Sequence, residues 1–224
     1  MDRDITNRFR DLTLEAFVQR LSSPDPVPGG GSAAAVVASL GAGLLTMVAS
    51  LSLGREKFAA HAETLAAAQA VGQRLSDRFL TLADDDASAF AQFATARRLP
   101  RETELEREAR GAAIVAAARC AAEVPASCVE ACLELAIAVE SIAGRSNQNA
   151  SSDLSVAALL VEAAARAAAE NVMVNLPSVA NQLWAVDVAA RMVELLAAIS
   201  DLVQRTRETV AGGATRDPLT ASQA

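Results

Sequence analysis

The chain has 224 residues, of which 52% are hydrophobic but only 3% aromatic, with no Tyr. A formal net charge of −7 and a pI near 4.8 leave no basic footprint for nucleic acid, either overall or as a local stripe. Much of the apolar content is Ala, the best helix former and a poor strand residue, so the expected class is all-α, a multi-helix bundle.

In chain order, residues 1–10 are charged and aperiodic and read as a flexible N-terminus. Leu14, Phe17, Val18 and Leu21 give a short amphipathic helix. Ser22 to Gly31 holds three Pro and three Gly and is a loop. Ser32 is the expected N-cap of an uncharged helix running to about Leu53. Ala35, Ser39 and Gly43 recur every fourth residue, a small-residue ridge for close approach of another helix, from within the fold or from a second subunit. A long helical pattern, bent or broken somewhere, covers Lys57 to Leu99 and stops at Pro100. Thr103 and Glu106 form a capping-box pattern for the next helix, which Pro125 should break or restart and which ends near Ala143. Gly144 to Ser152 is a polar loop. Helices from Asp153 to Leu176 and from Val179 to Val210 follow, and residues 211–224 read as a flexible tail. The helical domain thus spans 11–210.

The segment Ala33 to Leu53 is long enough to span a bilayer. Its Ala, Ser and Gly content and the lack of a basic flank favour instead the centre of a soluble bundle, so no membrane partner is expected. The three Cys (Cys120, Cys128 and Cys132) are an odd count without a secretory leader, which favours core packing and a cytoplasmic location over a disulfide scaffold. Cys128 and Cys132 share a helix face, but the only His, His61, is distant in sequence, and no metal site is expected.

Three polar features stand out. At about 100° per residue, Asp86 falls in the middle of the apolar stripe of Phe79, Leu82, Phe90 and Phe93, with Asp85 at its margin and Asp84 nearly opposite. Asp86 is therefore buried or faces a cleft. It is either an acid–base group with a raised pKa or a carboxylate bridging a neighbouring helix. Asp153 and Asn171 share one face of the later helix but lie about 27 Å apart along its axis, with Asn175 one turn further. Asp153 also suits an N-cap. Finally, Gly29-Gly30-Gly31-Ser32 leads into a helix N-terminus, whose N–H groups and dipole can receive negative charge. It is not a P-loop, since no Lys follows the last Gly. Arg55, Lys57 and Arg98 sit near helix ends, where a charge is commonly just solvated.

The ordered motifs Pro28-Gly29-Gly30-Gly31-Ser32-Ala33-Ala34, Gly54-Arg55-Glu56-Lys57-Phe58, Asp86-Ala87-Ser88-Ala89-Phe90, Leu99-Pro100, Val124-Pro125, Asn147-Gln148-Asn149 with Ser152-Asp153, and Asn171-Val172 with Asn175-Leu176 resemble one family. It is the formimidoyltetrahydrofolate cyclodeaminase / methenyltetrahydrofolate cyclohydrolase family, and the match is collinear from about Leu12 to Val210. Ser146 replaces a Gly, Glu56 interrupts a basic run, and Glu170 replaces an apolar residue of the family pattern.

The resemblance implies an all-α homodimer without a metal or bound cofactor, acting on a tetrahydrofolate derivative. It implies either hydrolysis of 5,10-methenyltetrahydrofolate to 10-formyltetrahydrofolate or release of ammonia from 5-formiminotetrahydrofolate. The first is favoured because no formiminotransferase domain is fused. Asp86 would stand beside the reacting carbon, and Pro28, Gly29, Gly30, Gly31 and Ser32 would approach the pterin. Asn147 and Asp153 would give further polar contacts, and Arg55, Lys57 or Arg98 would meet the glutamate carboxylates. A diverged activity on another one-carbon adduct and a non-catalytic helical dimer are the alternatives.

Overall fold

The computed structural model describes residues 8–219. Among them are six α-helices and no strand: α1 (Leu14–Leu21), α2 (Gly30–Ser50), α3 (Ala62–Arg97), α4 (Glu104–Ile142), α5 (Ser151–Asn175) and α6 (Gln182–Ala211). The long helical pattern opens with a 3-10 segment, Glu56–His61, and then runs as one continuous helix, α3, with no interruption inside it.

Helix α2 lies between α3 and α5; α4 packs on both of these, and α6 covers α4 and α5. Ala38, Ala42, Leu45, Val48 and Ala49 of α2 are fully buried. Such small side chains let helices approach closely; on the expected ridge Ala35 and Ser39 are buried, and close approaches also occur at Gly41 and Gly72. Gly43 is exposed and open. A Cβ on Gly41 would stand 3.3 Å from the Ala157 carbonyl of α5, and one on Gly72 of α3 would reach within 2.9 Å of the Ala42 carbonyl and overlap Thr46 Oγ1. Helix α2 and α4 are each long and apolar enough to cross a membrane; the α2 segment is mostly buried in the bundle.

Three local expectations change. Helix α2 starts at Gly30 with Gly29 as its cap, because Ser32 spends its side chain elsewhere. Pro125 does not break α4, which runs on through it. A proline has no N–H for the carbonyl four residues back. That carbonyl, on Ala121, accepts a bond from Asn175 Nδ2 at 3.1 Å instead. The termini are also tied down where they are described. The Phe9 N–H donates to Asp84 Oδ1 at 2.8 Å and its ring packs edge-on against Phe17. Arg216 bonds Glu140 Oε1 at 2.9 Å, and its N–H donates to the Gly144 carbonyl at 3.0 Å. Residues 1–7 and 220–224 lie outside the described residues.

Cys128 and Cys132 are buried free thiols. A hydrogen bond between them, with burial, holds the Cys132 thiol well above its usual range. Among the described residues no group of three or more His, Cys, Asp or Glu side chains is placed to hold a metal ion.

Candidate active site

Residues 4, 7 and 11 positions beyond Asp86 lie on its face of an ideal helix. Asp86, Phe90, Phe93 and Arg97 accordingly present one face of α3 to a cavity of about 440 Å³. Gly29, Gly30 and Gly31 of the α2 N-terminus line a second side, with Pro26 and Val27 just before them. Asn171 and Asn175, from the last turns of α5, line a third. The cavity is therefore floored by a helix N-terminus, where backbone N–H groups lack intrahelical acceptors.

Asp86 takes up part of that unmet donor capacity. Its carboxylate accepts from the Ser32 backbone N–H and lies 2.8 Å from Ser32 Oγ. The approach is close enough that any Cβ at position 31 would overlap the carboxylate. Burial pushes the Asp86 pKa above 3.8, while the two Ser32 bonds pull it partly back. Ser32 is fully buried, and its hydroxyl also lies 3.0 Å from the Ala83 carbonyl. A hydroxyl carries one proton and can also accept. Ionised Asp86 takes that proton; protonated Asp86 donates to Ser32 Oγ, which then donates to Ala83. The same serine serves both protonation states.

The α5 amides are oriented by backbone. Asn171 Nδ2 donates to the Ala167 carbonyl at 2.8 Å. Asn175 spends Nδ2 on Ala121 and on the Asn171 carbonyl, at 3.1 and 2.8 Å. Their amide oxygens are left as acceptors at the cavity wall.

Residues 13–194 match the family model described as formiminotransferase-cyclodeaminase. The chain belongs to the formiminotransferase-cyclodeaminase family. It is an enzyme of that type. It is 35% identical to a methenyltetrahydrofolate cyclohydrolase from Methylorubrum extorquens, over 88% of this chain and 95% of that protein. It is 34% identical to the rat formimidoyltransferase-cyclodeaminase over 83% of this chain, which spans only 34% of that longer protein. The crystal structure of formiminotetrahydrofolate cyclodeaminase from Thermotoga maritima shares the fold, with TM-score 0.82 and 24% identity over 91% of this chain and 98% of that one.

In this member of the formiminotransferase-cyclodeaminase family, the residues singled out from the sequence separate into two groups. Asp86, Gly29, Gly30 and Gly31 meet at the cavity; Ser32 stands behind Asp86, and Pro28 is buried beside the loop. Arg55, Lys57, Asn147 and Asp153 do not line this cavity within one chain. Arg55 and Lys57 follow the C-terminal end of α2, with Lys57 Nζ 5.5 Å from the Phe58 ring. The Asn147 N–H donates to Ser52 Oγ at that same end, and Asp153 lies in the first turn of α5. A helix as long as α2 puts roughly 30 Å between its two ends. Arg98, the residue after α3, does not line the cavity, whereas its neighbour Arg97, also exposed, does. Phe90, Phe93 and Arg97 were legible as the helical continuation of the Asp86 face. Asn171 and Asn175, singled out on one face of the later helix, also line the cavity, but the bond of Asn175 to Ala121 was not legible, because it depends on a proline in another helix.

Proposed function

We propose that the cavity at Asp86 carries out cyclohydrolysis, turning 5,10-methenyltetrahydrofolate and water into 10-formyltetrahydrofolate. The observation that carries this reading is Asp86 itself, a half-buried carboxylate on the cavity wall with its pKa raised and its geometry fixed by Ser32. The cationic methenyl bridge is stabilised by a nearby carboxylate, and general-base removal of a proton from attacking water is work for which such a group is suited. Water adds to the bridge carbon as Asp86 takes one of its protons. The carbon–N5 bond then breaks, N5 receives a proton from Asp86, and the added oxygen loses its remaining proton as the formyl carbonyl forms. A relative aligned along 95% of its own length carries the cyclohydrolase name, which supports this reading.

Ammonia release from 5-formiminotetrahydrofolate is the second reading, supported by the animal relatives' names. With the formimino group protonated as an amidinium, the same carboxylate would take the proton from N10 as it attacks and give it to the departing NH2, which leaves as ammonia. In either reaction the folate is substrate, with no further cofactor proposed. We further propose a cytoplasmic homodimer.

The test is to mix protein with 5,10-methenyltetrahydrofolate and follow the loss of its absorbance. Acceleration over buffer is expected. No acceleration, together with ammonia release from 5-formiminotetrahydrofolate, would replace the first reading with the second; neither activity would defeat both.

A further inference from the structure

We infer that Arg97 is the specificity-determining residue of this cavity, the anchor for an anionic group carried at the end of the substrate remote from Asp86. The inference rests on the folate reading above, since it assigns the glutamate carboxylates to Arg97.

Three observations converge on it. Among the described residues, Arg97 is the one cationic side chain lining the cavity, and Asp86 is the one anionic one. It lies eleven residues from Asp86 on the same face of α3, about 16 Å along the axis. The cavity is thus an elongated slot with a negative group at one end and a positive group at the other. Between them stand Phe90, 43% exposed, and Phe93. Two rings on this face suit a flat aromatic linker joining a cationic head to an anionic tail, which is the order of groups in a folate: bridged pterin, aminobenzoyl ring, glutamate. The guanidinium is also held in place without being neutralised. Its Cζ lies 5.9 Å from the Phe93 ring centroid, within cation–π range. Its own backbone carbonyl accepts from Arg110 Nε and Nη2 at 3.3 and 3.1 Å, which fixes the end of α3 and brings a second cation alongside. Arg97 pairs with no carboxylate among the described residues. A planar guanidinium that leans on a ring and is not paired with a protein carboxylate is suited to bidentate capture of a ligand carboxylate. Arg98, next in sequence and exposed like Arg97, does not line the slot.

The experiment measures binding as well as turnover. Isothermal titration of the wild-type chain, Arg97→Gln and Arg98→Gln would use two probes, 5-formyltetrahydrofolate and the same molecule lacking its glutamate. Wild type is expected to bind the glutamate-bearing probe more tightly, by on the order of tenfold for a charge-assisted pair. Arg97→Gln should lose that preference while binding the truncated probe as wild type does, and Arg98→Gln should keep it. In turnover, Arg97→Gln should raise KM on the full substrate and leave kcat nearly unchanged. An Arg97→Gln variant that keeps the wild-type preference overturns the anchor and leaves the proposed reaction standing. A wild type that shows the Arg97-dependent preference without turning over substrate upholds the anchor and defeats the reaction. A wild type that binds neither probe overturns both.

Discussion

Ser32 has one hydroxyl proton and two acceptors within reach, at 2.8 and 3.0 Å, and this makes Asp86 tunable. Its bonds favour the ionised carboxylate, against the burial that disfavours it. Removing the hydroxyl should therefore raise the Asp86 pKa further. A general base works deprotonated, so activity is present above that pKa and lost as pH falls through it. Ser32→Ala is expected to move the acid limb of the kcat/KM profile to higher pH, with Ser32→Thr returning it toward wild type; an unmoved limb would mean that Ser32 only packs. Gly31 acts by absence. Ala is a better helix residue than Gly, so Gly31→Ala leaves α2 helical while its Cβ displaces Asp86. A kcat loss on the order of 100-fold is expected, since a displacement of about 1 Å costs that much, with the circular dichroism spectrum unchanged.

At the scale of elements, Pro125 and Asn175 form one device. The proline frees the Ala121 carbonyl, and the amide of α5 closes it at 3.1 Å, joining α4 to α5 beside the cavity. Asn175→Ala leaves that carbonyl without its partner and should destabilise the fold by roughly 1–3 kcal/mol in urea unfolding. In a Pro125→Ala background the new N–H can bond Ala121 itself, so the same Asn175 change should cost less; equal costs in the two backgrounds would break the link. This pair also shows where the sequence stops being legible. Helices α1 to α6 follow from apolar periodicity and from caps such as Thr103 with Glu106, because those signals are local. Asp86 was legible too, as a carboxylate in an apolar stripe. The passage of α4 through Pro125 was not, because its compensation comes from a side chain fifty positions away. The distant placement of Asn147 and Asp153 was not either. It follows from α5 running antiparallel to α2, with Gly41 against Ala157 and Gly30 near Asn171.

For the whole molecule, the uncharged helix α2 is not fully covered by its own chain. Leu40, Met47 and Leu51 remain 56, 37 and 39% exposed, around the open Gly43. A second copy packed on this face would remove that apolar surface from water. Wild type is expected to sediment as a dimer and Met47→Glu as a folded monomer. A wild-type monomer would contradict the dimer proposal without touching the site.

The fold also bears a cost for its carboxylate. The Asp86 pKa is raised on folding, so the stability penalty sets in as pH rises above 3.8 and is complete above the raised value. The most direct measurement on the central claim is Asp86→Asn at pH 7, read as methenyl-tetrahydrofolate turnover and thermal unfolding on the same preparation. The prediction is a fall in kcat on the order of 10²–10⁴ with no loss of thermal stability, since the amide carries no charge to bury. Turnover equal to wild type by a folded Asp86→Asn variant would contradict it.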